Sequence, residues 1–215
     1  MHYVTNEQSA AVKILAIAGS LREQSYNRSL LEAVRELAPS WVEVSIYESL
    51  DEVPLFNEDV ADSATPAGVL KLRHAFSEAD GVLIATPEYN QAVPGVVKNM
   101  IDWLSLGDPE QGLEGRPVAV TGVTTGPWGT RLAQTMLRQM LVSAQAILLP
   151  QPSLYLSHAE SIFDDAGNLV DSKTRQRLSQ FVVAFGEWVT ALEGLSHSVD
   201  AVSRAPSIDA IAVGR

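Results

Sequence analysis

The chain has 215 residues, 46% hydrophobic and 19% charged, which suits one α/β domain with room for a tail. Its net charge is −11 and its pI about 4.7, a balance that opposes nucleic acid and anionic lipid by Coulomb repulsion. It contains no cysteine, so disulfides, thiolate nucleophiles and cysteine-ligated metal or iron–sulfur centres are excluded.

Residues 1–11 are polar and hold no apolar run of signal-peptide length. No stretch of the sequence reaches the ~18–20 apolar residues of a membrane span. The expectation is a cytoplasmic protein with an N-terminal extension over 1–12, a single domain over 13–195 and a C-terminal tail over 196–215.

The first apolar run, 14–18, reads I-L-A-I-A and ends at Gly19. It predicts a strand covered on both faces. The loop that follows, G-S-L-R-E-Q-S-Y-N-R-S-L over 19–30, is rich in small polar residues. A loop of that kind between strand and helix turns backbone N–H groups toward a helix N-terminus, a geometry that binds phosphate. Ser20, Ser25 and Asn27 can add side-chain donors, and Arg22 can add charge. The alternative is plain N-capping of the helix by Ser25. Neither a P-loop nor the G-x-G-x-x-G of a dinucleotide fold is present. Leu30, Leu31, Val34, Leu37 and Ala38 then recur at helical spacing.

A second strand is expected at 42–46, a short helix around Leu70, Leu72 and Phe76, and a third strand at 81–85. Next comes T-P-E-Y-N-Q-A-V-P-G-V-V-K-N-M-I-D-W over 86–103. Pro87 and Pro94 stiffen this loop, so its backbone donors and acceptors are pre-set. Such a loop can dock a flat heteroaromatic ring, or it can be a rigid turn alone. The helix after Pro94 carries an apolar stripe through Leu104.

The fourth strand is expected at 118–123, followed by T-T-G-P-W-G-T-R over 124–131. Gly126 and Gly129 there let backbone come close to a ligand, or simply lead into a helix. That helix is striped by Leu132, Met136, Leu137, Met140 and Leu141. A fifth strand is expected at 146–149, and a last helix carries Leu178, Phe181, Val182, Phe185 and Val189. Alternating strands and helices predict a doubly wound α/β fold with a five-stranded parallel sheet in the flavodoxin-like order 2-1-3-4-5. Ligand is then expected at the carboxyl ends of strands one and three. His74 and His158 stand alone in sequence, and Asp164 to Asn168 reads as a turn, so no metal site is expected.

The strings G-S-L-R-x-x-S-x-N-x-x-L and P-E-Y-N-x-x-x-P-G-x-x-K-N-x-I-D-W resemble the two signatures of the NADPH-dependent FMN reductase family, which includes quinone and chromate reductases. The likeness spans roughly residues 13–188. It implies that Ser20, Arg22, Ser25, Asn27 and the amide of Tyr26 hold the FMN phosphate. It implies that Pro87, Glu88, Tyr89 and Asn90 line the isoalloxazine, and that the third loop, with Thr124 and Gly126, reaches its pyrimidine side. Family members often carry two adjacent glycines in that loop, where this chain has Gly126-Pro127-Trp128-Gly129.

The resemblance further implies an oxidoreductase that takes hydride from NADPH or NADH and reduces quinones, free flavin or related acceptors in two alternating steps. Hydride transfer to flavin N5 needs no side-chain base, so no residue is singled out as catalytic. A homodimer or homotetramer is implied as well, with no nucleic acid or membrane partner. Two alternatives stay open: a flavodoxin-like electron carrier and a flavin-free interaction module.

Overall fold

A computed structural model describes residues 10–203 of the chain. In chain order the elements are β1 Val12–Ala18, α1 Tyr26–Leu37, β2 Val42–Tyr47, α2 Glu58–Ser63, α3 Ala67–Ser77, β3 Gly81–Ala85, α4 Gly95–Leu104 and β4 Pro117–Val123. Then follow α5 Arg131–Ser143, β5 Ile147–Leu148, β6 Leu154–Leu156, α6 Ala159–Ile162 and α7 Ser172–Ser203. The strands pair in parallel in the order β2-β1-β3-β4-β5, the flavodoxin-like order expected.

Side-chain alternation along the strands divides the core into two layers. Ile14 and Ala16 of β1 and Leu83 and Ala85 of β3 face α1 and α7. Leu15 and Ile17, with Val82 and Ile84, face α3, α4 and α5. Both faces are covered, which is why these strands are apolar throughout. The stripes on the helices supply the matching surfaces, Leu30, Leu31 and Val34 on one side and Met100, Leu137 and Leu141 on the other.

The fifth strand position differs from expectation. Pairing begins at Ile147 opposite Pro117, and the Leu149 amide still donates to the Val118 carbonyl at 2.9 Å. Pro150 and Pro152 then carry no N–H to donate. Pairing with β4 resumes only at Leu154, opposite Thr121. One expected strand is therefore two short ones, β5 and β6, lying along the same neighbour. At the ends, β1 already begins at Val12, and α7 runs past the expected boundary at 195 to Ser203. The rest of the predicted extension and tail, 1–9 and 204–215, lies outside the described residues.

The carboxyl ends of β1, β3 and β4 are drawn tightly together. The Gly19 amide donates to the Ala85 carbonyl at 2.8 Å, and the Thr86 amide to the Thr121 carbonyl at 2.9 Å. Glycine is required where these ends touch. A Cβ on Gly19 would lie 2.7 Å from Val97 Cγ2, and one on Gly122 would lie 2.1 Å from the Thr86 carbonyl oxygen and 2.5 Å from Thr130 Oγ1. Backbone, unlike a flexible side-chain tip, cannot step aside. Gly122→Ala is therefore expected to destabilise the fold by about 3 kcal/mol, the upper end of ordinary overpacking. Urea denaturation would measure this, and an unchanged midpoint would show that β3 and β4 have room to part.

Candidate cofactor site

Loop 19–25 carries β1 into α1. Ser25 is the N-cap of α1, with extended backbone, and its Oγ accepts from the Arg28 amide at 3.4 Å. The capping expected of Ser25 is thus present. It satisfies only the third amide of the helix. The N–H groups of Tyr26 and Asn27 meet no acceptor among the described residues. Two open amides at the positive end of a 12-residue helix make an anion cradle. Arg22 is exposed and forms no ion pair among the described residues. Arg28, one turn into the helix, is engaged instead by Glu48 at 2.5 and 2.6 Å. The hydrogen bond it donates to Glu48 raises the Arg28 guanidinium above its ordinary pKa.

The Asn27 side chain, which the resemblance implies for the phosphate, also has partners within the protein. It is 3% exposed, its Nδ2 donates to the Val123 carbonyl at 3.0 Å, and its Oδ1 accepts from the Val123 amide at 3.0 Å. The side chain ties the start of α1 to the end of β4, and the backbone N–H of Asn27 stays open beside it. The hydroxyls of Ser20 and Tyr89 share a hydrogen bond at 3.1 Å, which links the first loop to the second.

The second loop is a rigid turn. The backbones of Tyr89 and Ala92 exchange hydrogen bonds at 3.1 and 3.0 Å, while Asn90 and Gln91 adopt φ of 51° and 63°. Successive positive φ values define the type I′ hairpin turn, whose first central position suits asparagine. The turn holds Tyr89 45% exposed at the rim. Pro87 sits against the bare face of Gly19. The Glu88 side chain points to the neighbouring helix: Oε2 accepts from the amides of Leu132 and Ala133 at 2.9 and 3.0 Å. These are the second and third residues of α5, whose own N-cap, Thr130, makes no side-chain capping bond.

The third loop hangs from β6. The Thr124 amide donates to Leu156, the Thr124 carbonyl accepts from Ala159 at 3.1 Å, and the Gly126 carbonyl accepts from His158 at 3.3 Å. A Cβ on Gly126 would meet only the Thr124 side chain within 4 Å, so this backbone is open to a ligand. Gly129, at φ 67°, passes under Tyr155. Arg131 stacks its guanidinium 4.8 Å above the Tyr155 ring. Trp128 is 78% exposed.

All three loops stand on one edge of the sheet, cross-linked in pairs: first to second by Ser20 and Tyr89, second to third through Glu88 and α5, first to third by Asn27 and Val123. Sequence reasoning found none of these three links. A carboxylate reaching a helix N-terminus 44 residues downstream leaves no local pattern. The donors present, namely open amides, hydroxyls and one unpaired guanidinium, match a dianionic phosphate monoester. The rigid turn and the open Gly126 backbone match a flat ring with polar edges. The residues therefore fit FMN. Among the described residues no cluster of three or more His, Asp or Glu could hold a metal ion, and no helix is long and apolar enough to cross a membrane.

The comparisons with known proteins agree with this geometry. Residues 12–161 match the family described as NADPH-dependent FMN reductase. The chain is 40% identical to an NAD(P)H-dependent FMN reductase of Pseudomonas aeruginosa, covering 85% of this chain and 98% of that protein. It is 37% identical to a 2-hydroxy-1,4-benzoquinone reductase of a Burkholderia species, covering 83% and 97%. Among solved structures it resembles FerB, a flavoenzyme NAD(P)H:acceptor oxidoreductase of Paracoccus denitrificans, with a TM-score of 0.76 at 31% identity over 84% of this chain and 98% of that one. Motifs, sheet order and relatives coincide: the chain belongs to the NADPH-dependent FMN reductase family and is an NAD(P)H-dependent oxidoreductase that works with FMN.

Proposed function

We propose that this enzyme takes electrons from NADPH or NADH and passes them to a quinone, with free flavin and related compounds as further acceptors. The observation that carries this reading is the pre-formed cradle of open amides and unpaired Arg22 beside a rim whose aromatic side chains, Tyr89 and Trp128, are exposed. The relatives named quinone reductase and 2-hydroxy-1,4-benzoquinone reductase support the acceptor class. Bound FMN supplies the hydride and electron-transfer chemistry. The chain's own task is positional. The amides of Tyr26 and Asn27, the Ser20 and Ser25 hydroxyls and Arg22 hold the phosphate. Pro87, the turn at Tyr89 and Asn90, and the backbone at Thr124 and Gly126 hold the ring edges. Trp128 and Tyr89 border the opening where the nicotinamide and then the acceptor dock in turn. The balance is NAD(P)H, a proton and a quinone going to NAD(P)⁺ and a hydroquinone.

Residues 13–195 are taken as the unit that carries this activity. A cytoplasmic setting follows from the need for the nicotinamide pool, and the charge of −11 speaks against nucleic acid or an anionic membrane as partner. Assembly as a homodimer or homotetramer is part of the proposal. Between α4 and α5 runs a groove of about 640 Å³ with Ile101, Met136 and Met140 among its lining and the Lys98–Asp102 ion pair at its side. Methionines adapt to a second surface. Leu132 and Met136 on α5 are also exposed.

Anaerobic mixing with NADH or NADPH, followed by a panel of quinones, should show flavin bleaching and then recovery. Bleaching without recovery by any small acceptor would favour an electron carrier, and a colourless purified protein would favour a flavin-free module. Ser25→Ala and Arg22→Ala should each weaken FMN by about 1–3 kcal/mol while leaving riboflavin, which lacks the phosphate, unaffected. Asn27→Ala should instead cost about 1–3 kcal/mol of fold stability, because it strands the Val123 amide and carbonyl. Unchanged FMN affinity in both the Ser25 and the Arg22 variant would move the phosphate elsewhere.

Light scattering at micromolar concentration should return a multiple of the 23.2 kDa chain mass, and a monomer would refute the assembly. Trp128→Ala should leave FMN affinity nearly intact but alter the turnover ratio between a large and a small quinone. Equal changes for both acceptors, or loss of the oligomer, would assign Trp128 to packing.

A further inference from the structure

Two long helices begin at the ligand edge of the sheet, and they are finished differently. The N-terminus of α1 is capped by its own Ser25 and keeps two amides open. The N-terminus of α5 receives a carboxylate from another loop. Its second and third amides both donate to Glu88 Oε2, at 2.9 and 3.0 Å, while Thr130 at the cap position contributes no side-chain bond. A carboxylate in that place satisfies two helix donors and faces the positive end of the helix dipole.

What makes the contact consequential is where Glu88 sits in its own loop. The next residue is Tyr89, the first of the turn whose ends exchange two backbone hydrogen bonds. The turn thus moves as one body. It is held at its base by Glu88 on α5 and at its side by the Tyr89 hydroxyl on Ser20. The α5 N-terminus is in turn the end of the third loop, 124–130. One side chain therefore joins the two loops that face the flavin ring. The phosphate cradle has a separate support in the Asn27 clamp on Val123.

We infer that Glu88 is a positioning residue that locks the ring loop to the third loop through the α5 N-terminus, so that it governs affinity for the flavin ring and not for the phosphate. The inference rests on the cofactor reading above. It predicts a signature opposite to that of the phosphate loop: FMN and riboflavin lose affinity by the same factor.

The test uses the full chain stripped of flavin, with Glu88→Ala and Glu88→Gln. Fluorescence titration should show FMN and riboflavin weakened equally in Glu88→Ala, on the order of tenfold, as expected for loss of charge-assisted hydrogen bonds. Glu88→Gln keeps an acceptor oxygen and should lose less. The absorption band of bound FMN should shift in Glu88→Ala, because the ring surroundings change. Amide hydrogen exchange on the flavin-free protein should quicken both at 87–92 and at 131–133. Unchanged riboflavin affinity, a loss confined to FMN, or faster exchange at α5 alone would overturn the lock. If Glu88→Ala does not fold, Glu88→Gln carries the same comparisons with smaller differences. If the unsubstituted protein binds neither flavin, the cofactor reading fails, and the exchange experiment still decides whether Glu88 couples the two loops.

Discussion

The architecture of the site depends on the hydrogen-bond pair between the Asn27 amide group and the Val123 backbone. It joins the first turn of α1 to the last residue of β4, through two residues 96 positions apart in the chain. Buried in a place water does not reach, the pair is worth most to the fold in the cost of breaking it. It fixes the height of the α1 N-terminus above the sheet. Everything the phosphate would meet is built from there: the two open amides, the Ser25 cap and the loop that carries Ser20 and Arg22. The same bond sets where the chain leaves β4 toward Thr124. A carboxamide suits this task because it donates and accepts at once, where an aspartate carboxylate only accepts and would leave the Val123 carbonyl unpaired.

Around this clamp the site is assembled before any ligand arrives. Reciprocal turn bonds, a proline seated on glycine and a carboxylate on a helix N-terminus leave the three loops few alternative shapes. Ordering costs are met in folding and not in binding, which favours affinity for a rigid planar cofactor. The two open amides of α1 and the bare backbone at Gly126 are left for a phosphate and a ring edge to complete.

Much of this was legible in sequence, and the reasons are physical. Continuous apolar runs gave away the buried parallel strands, and helical stripes gave the two layers of cover. Glycine and proline marked the loops, and the long polar string after β1 pointed to phosphate. Proline also misled: the run at 146–149 looks like one complete strand, but Pro150 and Pro152 remove donors and divide it. Within the motifs, residue type alone does not separate a ligand group from a structural one. Asn27 and Glu88 both belong to signature strings, yet their side chains serve the protein itself. Asn99 and Trp103 in the second string do likewise. Asn99 accepts from the Phe56 amide at 2.7 Å, and Asn99 and Trp103 donate to the Pro54 carbonyl at 2.9 and 2.8 Å. Such partners lie some 45 residues away and become visible only once the chain is folded.

The division of the fifth strand has a bearing on how the protein behaves in crowded solution. An open sheet has two borders, and each unpaired border is a template on which a stranger's backbone can grow. Here one border consists of a two-residue strand and a three-residue strand separated by prolines, too short and too interrupted to seed a ladder. The opposite border, β2, alternates valine with the exposed Glu43, so a recruited strand would meet negative charge. The same prolines that hide a strand from the reader of the sequence thus guard the folded chain against amyloid-like association.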